Sequence, residues 1–265
     1  MTSSRRKFLR SSGLVLGAAA LPSWLLEREA ADAAEVDKAR LADIALTTTK
    51  DLGVSYADIR INRYRWESIT TREKQVQQVE RRQSFGFGVR ALVDGTWGFA
   101  ASPLVSPEEV QRVARLAVEI ARANAAHQTR RVRLVPVDKV TAEWKNSFRK
   151  DPFDVPIDQK IQFLLTLNET AMKVEGVSFV DSTAYFVNEQ KFFASTDGSR
   201  IEQYLIRSFP NFNVTAVDKT KGDFQQRSSL PGPQTIGYEF CEDYPWIAEA
   251  EQAGHEAVEK LKAKP

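Results

Sequence analysis

Near the C-terminal end the stretch GHEAVEK, residues 254–260, sets a histidine directly before a glutamate. Zinc hydrolases of the H-E-x-x-H type use this pair on a helix, because residues four apart share one face and reach a single metal ion. The intervening glutamate then serves as base toward metal-bound water. Here the fourth position after His255 is Glu259 and the fifth is Lys260, so the second histidine is missing. The other histidine, His127, is far away in sequence, and Cys241 is the sole cysteine. Zinc sites rarely dispense with such partners, and the residues read as a solvated helix face. Two distant histidines and no G-x-S-x-G elbow also leave a nucleophilic hydrolase without its base.

A second arrangement lies in SFGFGVRALVDGTWGFAAS, residues 84–102. Alternation turns Phe85, Phe87, Val89, Ala91 and Val93 to one side of a strand and Gly86, Gly88, Arg90 and Leu92 to the other. Asp94-Gly95 supplies a tight hairpin turn, and Thr96–Ala101 returns. Two glycines on one face let another backbone or side chain approach closely. Gly86, Gly88, Arg90 and Trp97 are therefore candidate contacts for a peptide or a neighbouring domain, while an arginine stem covering the glycine gap is the simpler alternative. These glycines lie inside a strand and no third one opens a helix, which excludes a dinucleotide fingerprint. No phosphate-cradling G-x-x-x-x-G-K-[S/T] loop occurs either.

These groups sit on elements that the hydropathy pattern outlines. Helices are expected over 36–52, closed by Gly53, and from Ser106-Pro107, where Ser106 and Glu109 form a capping box, to about Asn124. A third runs from an Asp158 cap to Gly176, and a fourth covers 245–262. Strands are expected at 56–65, 66–71 and 74–80, then at 177–187, 190–196, 200–209 and 211–218. The segment KGDFQQRSSLPGPQTIGYEF reads as a loop. Trp66, Trp97, Trp144 and Trp246 read as packing residues. The pattern is α+β: two units of antiparallel strands with packed amphipathic helices, at 34–128 and 151–265, joined by a connector at 129–150.

Of 265 residues, 37 are basic and 35 acidic, and residues 1–33 hold five of the former and three of the latter. The rest is balanced, so charge gives no argument for nucleic acid. The tract Arg130, Arg131, Arg133 lacks interleaved aromatics and reads as a solvated linker. Residues 1–33 have the form of an address: Arg5, Arg6, Phe8 and Leu9, then a short apolar run, then small residues at Ala31 and Ala33. This resembles the twin-arginine signal of folded bacterial exports. It implies a periplasmic or otherwise exported protein, mature from about Ala34. The apolar run is too short for a stable membrane span, and none is expected after signal removal.

Residues 86–102, the preceding GVSYADIRINRYRWESITTREKQVQQVERRQS and the later FFASTDGSRIEQYLIRSFPNFNVTA resemble the TldD/PmbA family over roughly residues 36–262. That resemblance implies a zinc metallopeptidase system in which a TldD-type subunit pairs with a PmbA-type partner and trims unstructured peptides. It implies zinc held by H-E-x-x-x-H and a later cysteine in a C-terminal domain. HEAVEK departs from that spacing too, since Lys260 stands at the second histidine position, and it precedes the place of the motif. No catalytic or metal residue is transferred. The expectation is the N-terminal half of an exported peptidase, without cofactor in this chain and with the catalytic domain absent. It would shape a peptide chamber and pair with a partner subunit or that missing domain. The alternative is a stand-alone exported peptide- or protein-binding scaffold derived from the family.

Overall fold

The computed structural model describes residues 36–263; the signal residues Arg5, Arg6, Phe8 and Leu9 lie outside them. Helix α1 (Lys38–Asp51) ends where Gly53 takes φ +75° and its N–H bonds the Lys50 carbonyl at 2.9 Å, a left-handed stop that glycine adopts without penalty. Strand β1 (Tyr56–Arg72) turns through Glu73 into β2 (Gln75–Val93). Asp94 and Gly95, at φ +50° and +76°, then turn the chain into β3 (Thr96–Ser102). Helix α2 (Pro107–Ala125) starts as expected: the Glu109 N–H donates to Ser106 Oγ at 3.2 Å.

The remaining elements are β4 (Thr141–Lys145), a 3₁₀ turn at Pro152–Asp154, α3 (Ile157–Met172), β5 (Val177–Ser195), β6 (Arg200–Asp218), β7 (Asp223–Ser228), α4 (Glu239–Asp243) and α5 (Trp246–Lys260). The expected antiparallel strands and packed helices are present. Their seven strands form one sheet, ordered β3-β2-β1-β5-β6-β4, with β7 also on β6. The strands of both sequence segments meet where β1 pairs with β5 from Asp58↔Ser195 to Arg72↔Asp181.

Several boundaries differ from the sequence reading, each for a local reason. The expected breaks at Arg65, VNEQ and FPN are absent, so each run of short strands becomes a long one. Asn188 is buried inside β5 but donates to the Leu205 carbonyl at 3.3 Å, which makes a polar residue tolerable there. Pro210 sits within β6, opposite Ala184 of β5, at a stretch whose outer edge has no regular strand partner. The 129–150 connector contains β4, whose pairing with β6 is parallel. The segment read as a loop holds β7 and α4. Asp158 lies within the first turn of α3 rather than capping it, because Pro156 occupies the N-cap.

Helices cover one face of the sheet. On β1 that face carries Ala57, Ile59, Ile61, Glu67, Ile69 and Thr71, all buried. Around Ile69, residues Leu164, Leu167, Phe186, Phe212 and Trp246 form a core between the strands and helices α3 and α5. Burying side chains of this size stabilises by about 1.5–3 kcal/mol each. Trp246 keeps its polar end satisfied by donating Nε1–H to the Phe240 carbonyl at 2.7 Å. Near α2 the packing needs a glycine: a Cβ on Gly98 would lie 2.0 Å from the Ala117 carbonyl oxygen.

Candidate functional site

Among the described residues the other side of the sheet has no helix on it, and the alternate residues of its strands collect there. Gly86, Gly88 and Arg90 of β2 stand beside Asn62, Arg60 and Asp58 of β1, and those beside Lys191, Phe193 and Ser195 of β5. Phe99 of β3 lies next to Arg90. Trp97 of β3, opposite Leu92, has the same phase, so the register puts all four residues singled out in the sequence on one open face.

Their contacts are specific. Arg90 grips Asp58 with Nη2 2.6 Å and Nε 3.0 Å from Oδ2, and its guanidinium stacks 5.0 Å from the Trp97 ring. Asp58 is fully buried and takes a second cation from Arg60, whose Nη1 is 3.1 Å from Oδ1. Arg60 in turn lies 5.2 Å over the Phe193 ring. The Asp58 hydrogen bond raises the Arg90 pKa and keeps its charge firm. Tyr56 meets Trp97 edge to face at 5.8 Å, and burial followed by the Asp58 charge pushes its hydroxyl up to about 12. Arg90 thus does not fill the glycine gap. The close approach that the glycines permit comes from this chain itself: a Cβ on Gly88 would sit 2.8 Å from the Phe99 ring, and one on Gly86 2.9 Å from the Ser102 carbonyl oxygen.

Between these parts opens a cavity of about 490 Å³, with Gly86 and Gly88 in its lining and Arg60, Asn62, Tyr64 and Phe99 around them. Phe99 is 59% exposed, and the Asn62 Oδ1 is buried without a hydrogen-bond partner among the described residues. An unmet acceptor costs about 1–3 kcal/mol. Beyond Asn62 the face becomes polar around Glu189, which accepts from Tyr64 Oη at 2.5 Å, Lys191 Nζ at 2.8 Å and Arg207 Nη1 at 2.9 Å. Burial opposes its charge, but the hydrogen bonds from Lys191, Tyr64 and Arg207 outweigh it and hold the carboxyl below its ordinary range. Burial and then the Glu189 hydrogen bond raise Tyr64 to about 12. Farther along, Trp66, Tyr185 and Phe209 stack in series at 6.0 and 6.3 Å. A face with aromatic platforms, fixed charges and a side-chain-sized recess can hold an extended chain.

Sequence reading found Gly86, Gly88, Arg90 and Trp97 but missed Asp58, Arg60, Asn62, Tyr64 and Glu189. The signal was present in YADIRINRY, where Asp58, Arg60, Asn62 and Tyr64 alternate with the apolar positions that were noticed. Trp144, read as packing, is 48% exposed on β4. His127 follows the end of α2, and His255 lies exposed on α5 beside Glu256, which pairs with Arg227. Among the described residues no three His, Cys, Asp or Glu side chains gather as metal ligands. The zinc that the resemblance implies therefore finds no fitting donor set in them.

Comparison with known proteins decides the ancestry. Residues 57–121 match PmbA/TldA metallopeptidase domain 1, and residues 150–264 match the PmbA/TldA metallopeptidase central domain. Together the two matches cover more than half of the chain. The chain belongs to the PmbA/TldD family. It is 28% identical over 212 residues to a metalloprotease of Methanocaldococcus jannaschii, which covers 79% of this chain and 45% of that protein. A Methanothermobacter thermautotrophicus metalloprotease is 28% identical over 214 residues, 80% of this chain and 44% of that one. This PmbA/TldD chain thus spans about half the length of the curated relatives it matches. The fold is shared with TldE from Thermococcus kodakarensis, at TM-score 0.56 and 11% identity, over 82% of this chain and 46% of TldE. It is shared also with a Thermotoga maritima protein described as a modulator of DNA gyrase, at TM-score 0.64 and 16% identity, over 84% of this chain and 48% of that one.

Proposed function

We propose that this chain supplies the peptide-chamber and subunit-pairing portion of an exported PmbA/TldD-type metallopeptidase, with bond cleavage carried out by residues outside those described. The observation that carries this reading is the single sheet built from both family domains, with helices on one side and an open, aromatic and charged face on the other. An unstructured peptide is held on such a surface through backbone hydrogen bonds and side-chain recesses, which selects extended chains over folded ones. The partner is a TldD/PmbA-type second subunit, or the domain that bears the zinc. The N-terminal address fits delivery to the periplasm by the twin-arginine route.

The test mixes the purified chain with a fluorescent unstructured peptide, alone and with a PmbA/TldD-type subunit that carries H-E-x-x-x-H. The chain alone binds the peptide without cutting it, and cleavage requires the zinc-bearing component. Cleavage by the chain alone, or no binding of any unstructured peptide, overturns the reading.

A further inference from the structure

A second surface feature lies along the edge of β2. Strand β3 pairs only with Phe87–Val93, so the outer edge of β2 from Gln75 to Gly86 has no strand beside it among the described residues. Every second residue there turns its backbone N–H and C=O outward, unpaired. At the middle of this edge lies a recess of about 210 Å³ lined by Arg65, Trp66, Glu67, Arg81, Arg82 and Phe153.

The recess is short of negative charge. Glu67 is 1% exposed and already serves two cations, the buried Lys160 on its inner oxygen and Arg81 at 2.5 Å on the outer one. Arg82 lies 5.4 Å over the Trp66 ring and pairs with Glu80. Arg65 lies 4.3 Å over the Phe153 ring and pairs with no carboxylate among the described residues. On the helix-covered face Lys160, Arg81 and Arg65 thus have Glu67 between them, and on the other face Arg82 has Glu80. Ring stacking holds two of the guanidiniums in place, which lowers the entropy lost when they grip an anion.

We infer that the β2 edge at Gln75–Gly86 binds an extended peptide segment bearing carboxylates, which adds as a strand and sets acidic groups beside Arg65 and Arg81 on one face of the sheet and beside Arg82 on the other. The other simple occupant, a second copy of the same edge, carries Arg81 and Arg82 against Glu80 and so adds net positive charge to a positive edge. An acidic strand meets no such repulsion and supplies both the missing charge and the missing backbone partners. The inference rests on the peptide-handling reading and names the substrate class for it.

The experiment measures anisotropy of three labelled peptides on the full chain: one rich in Asp and Glu, the same sequence with Asn and Gln, and the acidic one N-methylated on alternate amides. The acidic peptide binds roughly tenfold or more tightly than its amide counterpart, and high salt erases the difference. N-methylation of the amides that face the edge removes binding. Arg65→Gln and Arg82→Gln, neither of which touches Glu67, each weaken the acidic peptide about tenfold and leave the amide peptide unchanged. Equal binding of acidic and amide peptides overturns this inference but leaves the peptide-handling reading standing. Binding of neither overturns both. Full acidic preference in both arginine variants places the anion elsewhere and also overturns the inference.

Discussion

The sheet is centred on two long hairpins of similar size, β1–β2 and β5–β6, that meet through β1 and β5, and they treat their outer edges differently. The outer edge of β6 is covered at one end by β4 and at the other by β7, with a bridge from Ser208 to Gln234 between. Among the described residues a strand covers the outer edge of β2 only over Phe87–Val93. Each hairpin also carries a buried carboxylate, again handled in two ways. Glu67 of β1 points to the helix-covered face and is locked by Lys160, which is fully buried. Glu189 of β5 points to the open face and is held by Lys191 and Arg207, which are 35% and 40% exposed. The better-covered edge and the locked carboxylate serve the fold; the open edge and the solvated network remain available to a partner.

Removing Lys160 breaks this comparison hardest. Lys160→Met leaves Glu67 buried with Arg81 alone, and the expected loss is roughly 3–5 kcal/mol, read from urea denaturation. Desolvation lowers the Lys160 pKa while Glu67 opposes that shift, so the lysine depends on this partner. The matching change on the other hairpin, Lys191→Met, costs less than about 1 kcal/mol because a partly solvated pair is screened. Equal losses for the two would remove the distinction. Next in size is Gly98→Ala, whose Cβ drives α2 away from β3 at a cost of roughly 1–3 kcal/mol in the same measurement.

Acid sharpens the contrast at Glu189. Its folded pKa is depressed, so its stabilisation is complete above the unfolded value of about 4.3 and is lost as pH falls through the folded value. Glu189→Gln is therefore less stable than the parent at neutral pH, and the gap closes below that range, which thermal melting at a series of pH values reads directly. A smaller effect, about 1 kcal/mol, is expected for Ser106→Ala, which removes the α2 cap without touching either hairpin.

Local chemistry was legible in the sequence where it depends on neighbours along the chain. Ser106, Asp94-Gly95 and Gly53 place a cap, a turn and a helix stop that the structure contains. Strand length was not legible, because Asn188, Glu189 and Pro210 read as breaks and their acceptability depends on partners across the sheet or on a free edge. Lys160 gave no signal at all: in IDQKIQFLL it looks like any surface lysine, and only the fold brings Glu67 to it. Half of the open face was visible as glycines and an arginine on β2. Its β1 half was hidden in the polar phase of an alternation read only for its apolar phase.

The central claim, that the β2 edge is an acceptor and the β6 edge is not, is tested most directly by amide hydrogen exchange with and without the acidic peptide. The account predicts new protection of alternate amides within Gln75–Gly86 and no change along Leu205–Phe212. Protection that appears on β6, or none on β2 while the peptide is bound, would contradict it.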